Sequence, residues 1–233
     1  MASLSTRLSK IQHRIDAAYE RVGRDRNEVK LIAVSKTHPV ETIHEAIDAG
    51  CTIFGENKVQ EAEGKILEIG RDAAEWHLIG HLQSNKARKA VQLFDVIHSL
   101  DSIELAERLE RICMEESRDE LPVLIQVDLA GEETKSGVSE SDLPELVTYL
   151  KSCERLRLTG LMVLPPFFDD PEATRPYFVR LREIRDRLAA ERAFANDRGE
   201  LSMGMSHDFE VAIEEGATMV RVGTAIFGER QYN

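Results

Sequence analysis

Positive charge is scarce in this sequence, cysteine is scarcer, and no apolar run is long enough to cross a bilayer. Against 42 acidic residues stand 30 Lys and Arg, a formal net charge of −12 over 233 residues. That balance opposes attraction to a phosphate backbone or an anionic membrane, so neither nucleic acid nor a lipid surface is an expected partner. The three cysteines, Cys51, Cys113 and Cys153, are odd in number, far apart and without a CxxC pair. They read as reduced packing thiols of a cytoplasmic protein, not as a disulfide framework. Also missing are GxSxG, a Walker loop, GxGxxG, internal repeats and low-complexity linkers.

What is present describes a globular chain, with 42% hydrophobic and 31% charged residues, at a length suited to one α/β barrel. The segment Met1 to Arg14 carries Ser and Arg without acid, as a transit peptide would. Yet Leu4, Leu8, Ile11, Ile15, Ala18 and Val22 recur at helical spacing beyond it, which predicts an amphipathic helix packed on the fold. Strand-like runs follow at Leu31–Ser35, Thr52–Gly55, Trp76–Gly80, Val96–Leu100, Val123–Leu129, Leu158–Val163, Leu201–Met203 and Met219–Gly223. Between them lie helical stretches at Val40–Ala49, Lys58–Ile69, Asn85–Phe94, Ser102–Glu116, Asp142–Leu150, Pro176–Ala193 and Asp208–Glu215. Ser102, Ser141 and His207-Asp208 stand at N-cap positions, and Gly50 and Gly216 just past helix ends. Eight strands alternating with helices predict a (β/α)8 TIM-type barrel over residues 1–233 as one domain, with an additional N-terminal helix. An open doubly wound sheet is the alternative. The arginines between Arg180 and Arg192 alternate with Leu181, Ile184 and Leu188, the pattern of a solvated helix face.

In a parallel barrel the active face is built at the C-terminal strand ends, so those ends assemble a candidate site. Lys36 follows the first strand directly, its stem in apolar surroundings and its ammonium facing the loop. Such a lysine either snorkels to water or is held for amine chemistry. Ser206, Gly223 and Thr224 offer hydroxyl and backbone N–H groups near helix starts after strands seven and eight, a place where barrels frequently bind phosphate. The same residues could simply cap and turn the chain. Strand alternation puts Met219, Arg221 and Gly223 on one face, so Arg221 points into the barrel mouth, where a guanidinium needs an acceptor or an anion. Asn57 and Glu56 lie at the second strand end, with Glu56 a conceivable general base. Lys58, Lys86 and Lys135 rival Lys36, but two fall in helix starts and one in a polar loop. His77 and His81 do not make a metal pair on a strand-to-loop segment, and no metal site is expected.

Ala33–Thr37, Phe54–Glu61, His77–Lys86, Ser202–Ser206 and Val220–Gly228, taken in order, closely resemble the pyridoxal phosphate homeostasis protein family. The resemblance implies a barrel like the N-terminal domain of alanine racemase, holding pyridoxal 5′-phosphate as an aldimine on a lysine. It makes Lys36 that lysine, Ser206, Gly223 and Thr224 the phosphate cradle, Arg221 the residue facing the pyridine nitrogen, and Asn57 a polar contact nearby. Because a guanidinium cannot accept a proton, Arg221 would keep that nitrogen unprotonated and weaken the ring as an electron sink. Related racemases bring a tyrosine base from a second domain. The tyrosines here, Tyr19, Tyr149, Tyr177 and Tyr232, stand at none of the strand ends. The expectation is a cytoplasmic carrier without catalytic residues, monomeric, handing the cofactor to pyridoxal-phosphate-dependent apoenzymes. An amino-acid racemase or related enzyme is the first alternative, and an empty interaction scaffold the second.

Overall fold

The computed structural model describes residues 3–25, 28–131 and 136–228. Its parallel strands are β1 (Lys30–Val34), β2 (Ile53–Glu56), β3 (Glu75–Leu78), β4 (Val96–Leu100), β5 (Leu121–Gln126), β6 (Leu156–Met162), β7 (Glu200–Met205) and β8 (Met219–Val222). They pair in chain order, and β8 returns to β1 with Ile32 opposite Arg221 and Ala33 opposite Val222. That last pairing closes the barrel and rules out the open sheet. Every expected strand is present, with ends displaced by no more than three residues.

The helices are α1 (Leu4–Val22), α2 (Val40–Asp48), α3 (Val59–Ile69), α4 (Ala87–Leu93), α5 (Ile103–Glu115), α6 (Leu143–Lys151), α7 (Arg175–Ala190), α8 (Phe209–Glu214) and α9 (Thr224–Phe227). Helix α1 is the expected N-terminal addition. Ser3 caps it by accepting the Thr6 N–H, and Gly23 ends it in the left-handed region at φ 67°. Arg14 and Arg21 bind it to Glu210 and Glu214 of α8 at 2.7 and 2.6 Å.

Local chemistry explains where boundaries moved. Residues 84–86 form a 3-10 turn, so α4 starts after the expected Asn85. Ser102 caps α5 through the Leu105 N–H. Ser141 does not cap α6: Asp142 takes the N-cap position, and the Ser141 hydroxyl bonds Ser139 at 2.7 Å. Asp208 heads α8, but its carboxylate accepts the Met205 N–H at 2.6 Å instead of a helix N–H. The short α9 was not expected.

Two apolar layers hold this frame. Outward residues such as Phe54, Trp76, Leu161 and Val220 pack against Ile66, Phe178, Leu181 and their neighbours on the helices. Inside the barrel a smaller cluster gathers Ile32, Val96, Leu124, Met162 and Met219. Met219 and Val220 thus fall on opposite sides of β8, as strand alternation requires. The barrel interior is not wholly apolar, since His77, His98, Ser202 and Arg221 are also buried.

Candidate functional site

At the C-terminal strand ends a cavity of about 450 Å³ opens. Lys36, Asn57, Ser206, Arg221, Gly223 and Thr224 all line it. Closure of β8 on β1 is what joins the first of these to the last three, across almost the whole sequence.

Lys36 leaves β1 half-buried, and both of its neighbours are clamped from outside the barrel. Lys65, on α3, donates to the Ser35 carbonyl at 2.8 Å, to Glu56 Oε1 at 2.7 Å and to Glu61 Oε1 at 2.6 Å. Three donations engage the full capacity of its ammonium. The Ser35 hydroxyl donates to Glu56 at 2.7 Å, and the Thr37 N–H donates to Glu61 at 2.5 Å. Thr37 is held at φ 66°, a left-handed backbone that β-branched residues rarely adopt. Such strain costs about 1–3 kcal/mol and persists only where surroundings enforce it. Burial pushes the Glu56 carboxyl up, against the pull of Lys65 and the Ser35 hydroxyl. Glu56 is therefore neither a solvated loop carboxylate nor a base in the cavity. It belongs to the clamp.

Asn57 comes close because position 80 is glycine. A Cβ on Gly80 would lie 2.3 Å from the Asn57 carbonyl oxygen. The Asn57 side-chain oxygen is buried without a hydrogen-bond partner. On the opposite wall Ser206 does not cap α8; its hydroxyl accepts the Gly223 N–H at 3.2 Å, linking the loops after β7 and β8. Gly223 starts α9, whose N-terminal end faces the cavity. At the other end of α9, Arg7 donates to the Ile226 carbonyl at 2.5 Å.

Arg221 is the most constrained of the six. It is almost wholly buried, and among the described residues no carboxylate forms an ion pair with it. Its Nη1 donates to Ser202 Oγ at 2.6 Å and its Nη2 to the Val163 carbonyl at 2.9 Å. Burial lowers the guanidinium to about 10, only partly offset by Asp208, so it remains charged at neutral pH. A buried cation without a counter-ion is costly unless an anion or a set of acceptors compensates it.

The rim carries further aromatic and imidazole groups. Phe167, 77% exposed, stacks on His207 at 5.5 Å, and His38 on Phe227 at 4.9 Å. His81 Nδ1 lies 3.0 Å from Ser136 Oγ and 3.5 Å from Asp101. Both partners meet the same nitrogen, so no Ser–His–Asp relay forms. Of the rival lysines, Lys58 is exposed, Lys86 does not line the cavity, and Lys135 lies outside the described residues. No tyrosine lines the cavity among the described residues, and Tyr232 lies outside them. Burial raises the thiols of Cys51, Cys113 and Cys153 to about 11. Among the described residues no group of His, Cys, Asp or Glu is arranged to hold a metal ion, and no helix is long and apolar enough to cross a membrane.

A family model for the alanine racemase N-terminal domain matches residues 6–231. The chain is 46% identical over 226 residues to the pyridoxal phosphate homeostasis protein of Aquifex aeolicus, spanning 97% of this chain and 98% of that one. The protein of the same description from Escherichia coli strain K12 is 43% identical over 243 aligned positions, spanning 100% of this chain and 99% of its relative. Among solved structures, PipY of Synechococcus elongatus PCC7942 with pyridoxal phosphate bound matches with a TM-score of 0.84 and 41% identity. That match covers 97% of this chain and 100% of PipY.

Proposed function

The chain belongs to the alanine racemase N-terminal domain family, among the pyridoxal phosphate homeostasis proteins, and on that premise we propose that its cavity binds pyridoxal 5′-phosphate through Lys36. The observation that carries this reading is the convergence of Lys36, Asn57, Ser206, Arg221, Gly223 and Thr224 on one cavity. The residues fit the group. Arg221 is a buried donor lacking an ionic partner, Asn57 presents an unpartnered oxygen, and the Ser206–Gly223 link sets hydroxyl and N–H groups beside a helix start.

When bound, the cofactor supplies an aldehyde that an amine can mask reversibly. Lys36 is the amine at the cavity, positioned by the clamp on Ser35 and Thr37. Ser206, Gly223 and Thr224 hold the phosphate with hydroxyl and N–H donors at the end of α9. Arg221 faces the ring nitrogen as a donor only, so a proton stays on Nη and the ring nitrogen accepts. An unprotonated ring is a poor electron sink, which argues against the carbanion chemistry of an amino-acid racemase. The absence of a tyrosine from the lining, among the described residues, points the same way.

The protein therefore takes part in pyridoxal phosphate homeostasis as a holder of the cofactor and not a robust catalyst. It acts as a cytoplasmic monomer and passes its cargo to pyridoxal-phosphate-dependent apoenzymes. The racemase reading remains the competitor. Purified protein should show a visible absorption band that Lys36→Ala removes, with no interconversion of alanine enantiomers. Steady racemisation by the pure protein, lost in Lys36→Ala, would overturn the carrier role.

A further inference from the structure

Arg221 is one end of a longer structure. Ser202 Oγ, which accepts its Nη1–H, lies 2.9 Å from His98 Nδ1. His98 Nε2 lies 2.8 Å from His77 Nδ1, and His77 Nε2 lies 2.8 Å from Glu75 Oε1. Ser202, His98 and His77 are completely buried, whereas the Glu75 side chain at the opening of β3 is 41% exposed. A line of hydrogen bonds thus runs through the barrel from the cavity floor to the opposite, N-terminal face.

Donor rules fix the Arg221 end of this line. A guanidinium only donates, so Ser202 must accept from Arg221 and is free to donate its own proton to His98. Burial, with His77, Arg221 and Lys30 nearby, holds His98 well below the ordinary imidazole value, so it is neutral. Its hydrogen bond with His77 holds Glu75 below the usual carboxylate range, so Glu75 accepts. With His98 neutral and His77 Nε2–H donating to Glu75, one order lets each group donate to the next: Arg221 Nη1–H to Ser202, Ser202 Oγ–H to His98 Nδ1, His98 Nε2–H to His77 Nδ1, and His77 Nε2–H to Glu75. Other charges around the line are Lys30 on β1, paired with Glu200 of β7 at 3.1 Å, and Asp208, which acts on Arg221.

We propose that Ser202, His98, His77 and Glu75 form a proton-ordered column that orients Arg221 from beneath and sets the ring-nitrogen environment of the cofactor from the far end of the barrel. The four are positioning residues, and their role toward the cofactor rests on the reading of the cavity given above. Reversing any one proton would make two groups donate to each other or two acceptors face each other. Arg221 donates in any order; what the acceptor at Glu75 secures is that the Ser202 proton points to His98, leaving the Ser202 lone pairs turned to Arg221.

The test combines two readouts on the full chain. In the protein without added cofactor, nitrogen NMR of labelled histidine should find the His98 proton on Nε2 and a bare Nδ1 on His77 accepting from it, and Glu75→Ala should shift the His98 signals. After loading with pyridoxal phosphate, Ser202→Ala and Glu75→Ala should still yield a borohydride-reduced adduct on Lys36. Ser202→Ala should hold the cofactor about tenfold more weakly. Both variants should move the pH midpoint of the visible band by about half a unit or more, which loss of packing at an exposed Glu75 would not do. A His98 proton on Nδ1, protonation of His98 near its ordinary value, or wild-type pH profiles in both variants would overturn the column while leaving cofactor binding intact. If the wild type forms no adduct, the cofactor reading fails, and the histidine signals alone decide whether the column exists.

Discussion

Two buried polar clusters flank Lys36, one outside the barrel wall and one inside it, and they differ in how their charge is answered. Outside, Lys65 is met by Glu56 and Glu61 at 2.7 and 2.6 Å and by the Ser35 carbonyl. Inside, Arg221 is met by a serine hydroxyl and a carbonyl, with no carboxylate in ion-pair contact among the described residues. A fully answered charge is what a structural clamp needs. An incompletely answered one in a cavity wall marks the side where a ligand completes the set.

The contrast is broken most severely by removing the clamp's cation. Lys65→Met leaves the Glu56 carboxylate buried without its counter-charge, and breaking such a pair costs about 3–5 kcal/mol. Urea denaturation should register that loss, and the Lys36 segment should become open to proteolysis. Arg221→Met tests the other side. It removes a cation that lacks an ionic partner, so stability should change by no more than about 1 kcal/mol, while retention of pyridoxal phosphate falls by about a hundredfold in equilibrium dialysis. Equal stability losses in the two variants would erase the distinction.

The smallest effect is one of pH. His98 is depressed in the folded protein, whereas in the unfolded chain it takes up a proton near its ordinary value of 6.5. The unfolded state then binds more protons below that value, so stability is full above it and falls as pH drops. One proton contributes about 1.4 kcal/mol per pH unit. Between pH 6 and pH 5 the stability of the wild type should therefore fall more steeply than that of His98→Phe, by about that slope, in paired denaturation curves.

These two clusters also mark the limit of what the sequence discloses. Alternation of Val220 and Val222 against Met219 and Arg221 is enough to point Arg221 inward, and eight alternating segments are enough to imply closure. Closure in turn brings Lys36 beside Gly223 and Thr224. Lys65 is different: it sits mid-helix four residues after Glu61, a spacing shared by countless solvated pairs, and nothing local signals that Glu56 lies beneath it. His98 is hidden for another reason. It interrupts an apolar strand in a way that only the register with β3 and the reach to β7 explain, and neither is written locally. Caps erred where two hydroxyls competed, as at Ser139 and Ser141.

On the function proposed here, Lys36 is the amine that takes pyridoxal phosphate in this cavity. Reducing the loaded protein with borohydride and mapping the modified peptide by mass spectrometry tests it most directly. A single pyridoxyl label should appear on Lys36 and be absent from Lys36→Ala. A label on Lys58, Lys86 or Lys135 with none on Lys36, or no label at all, would contradict it.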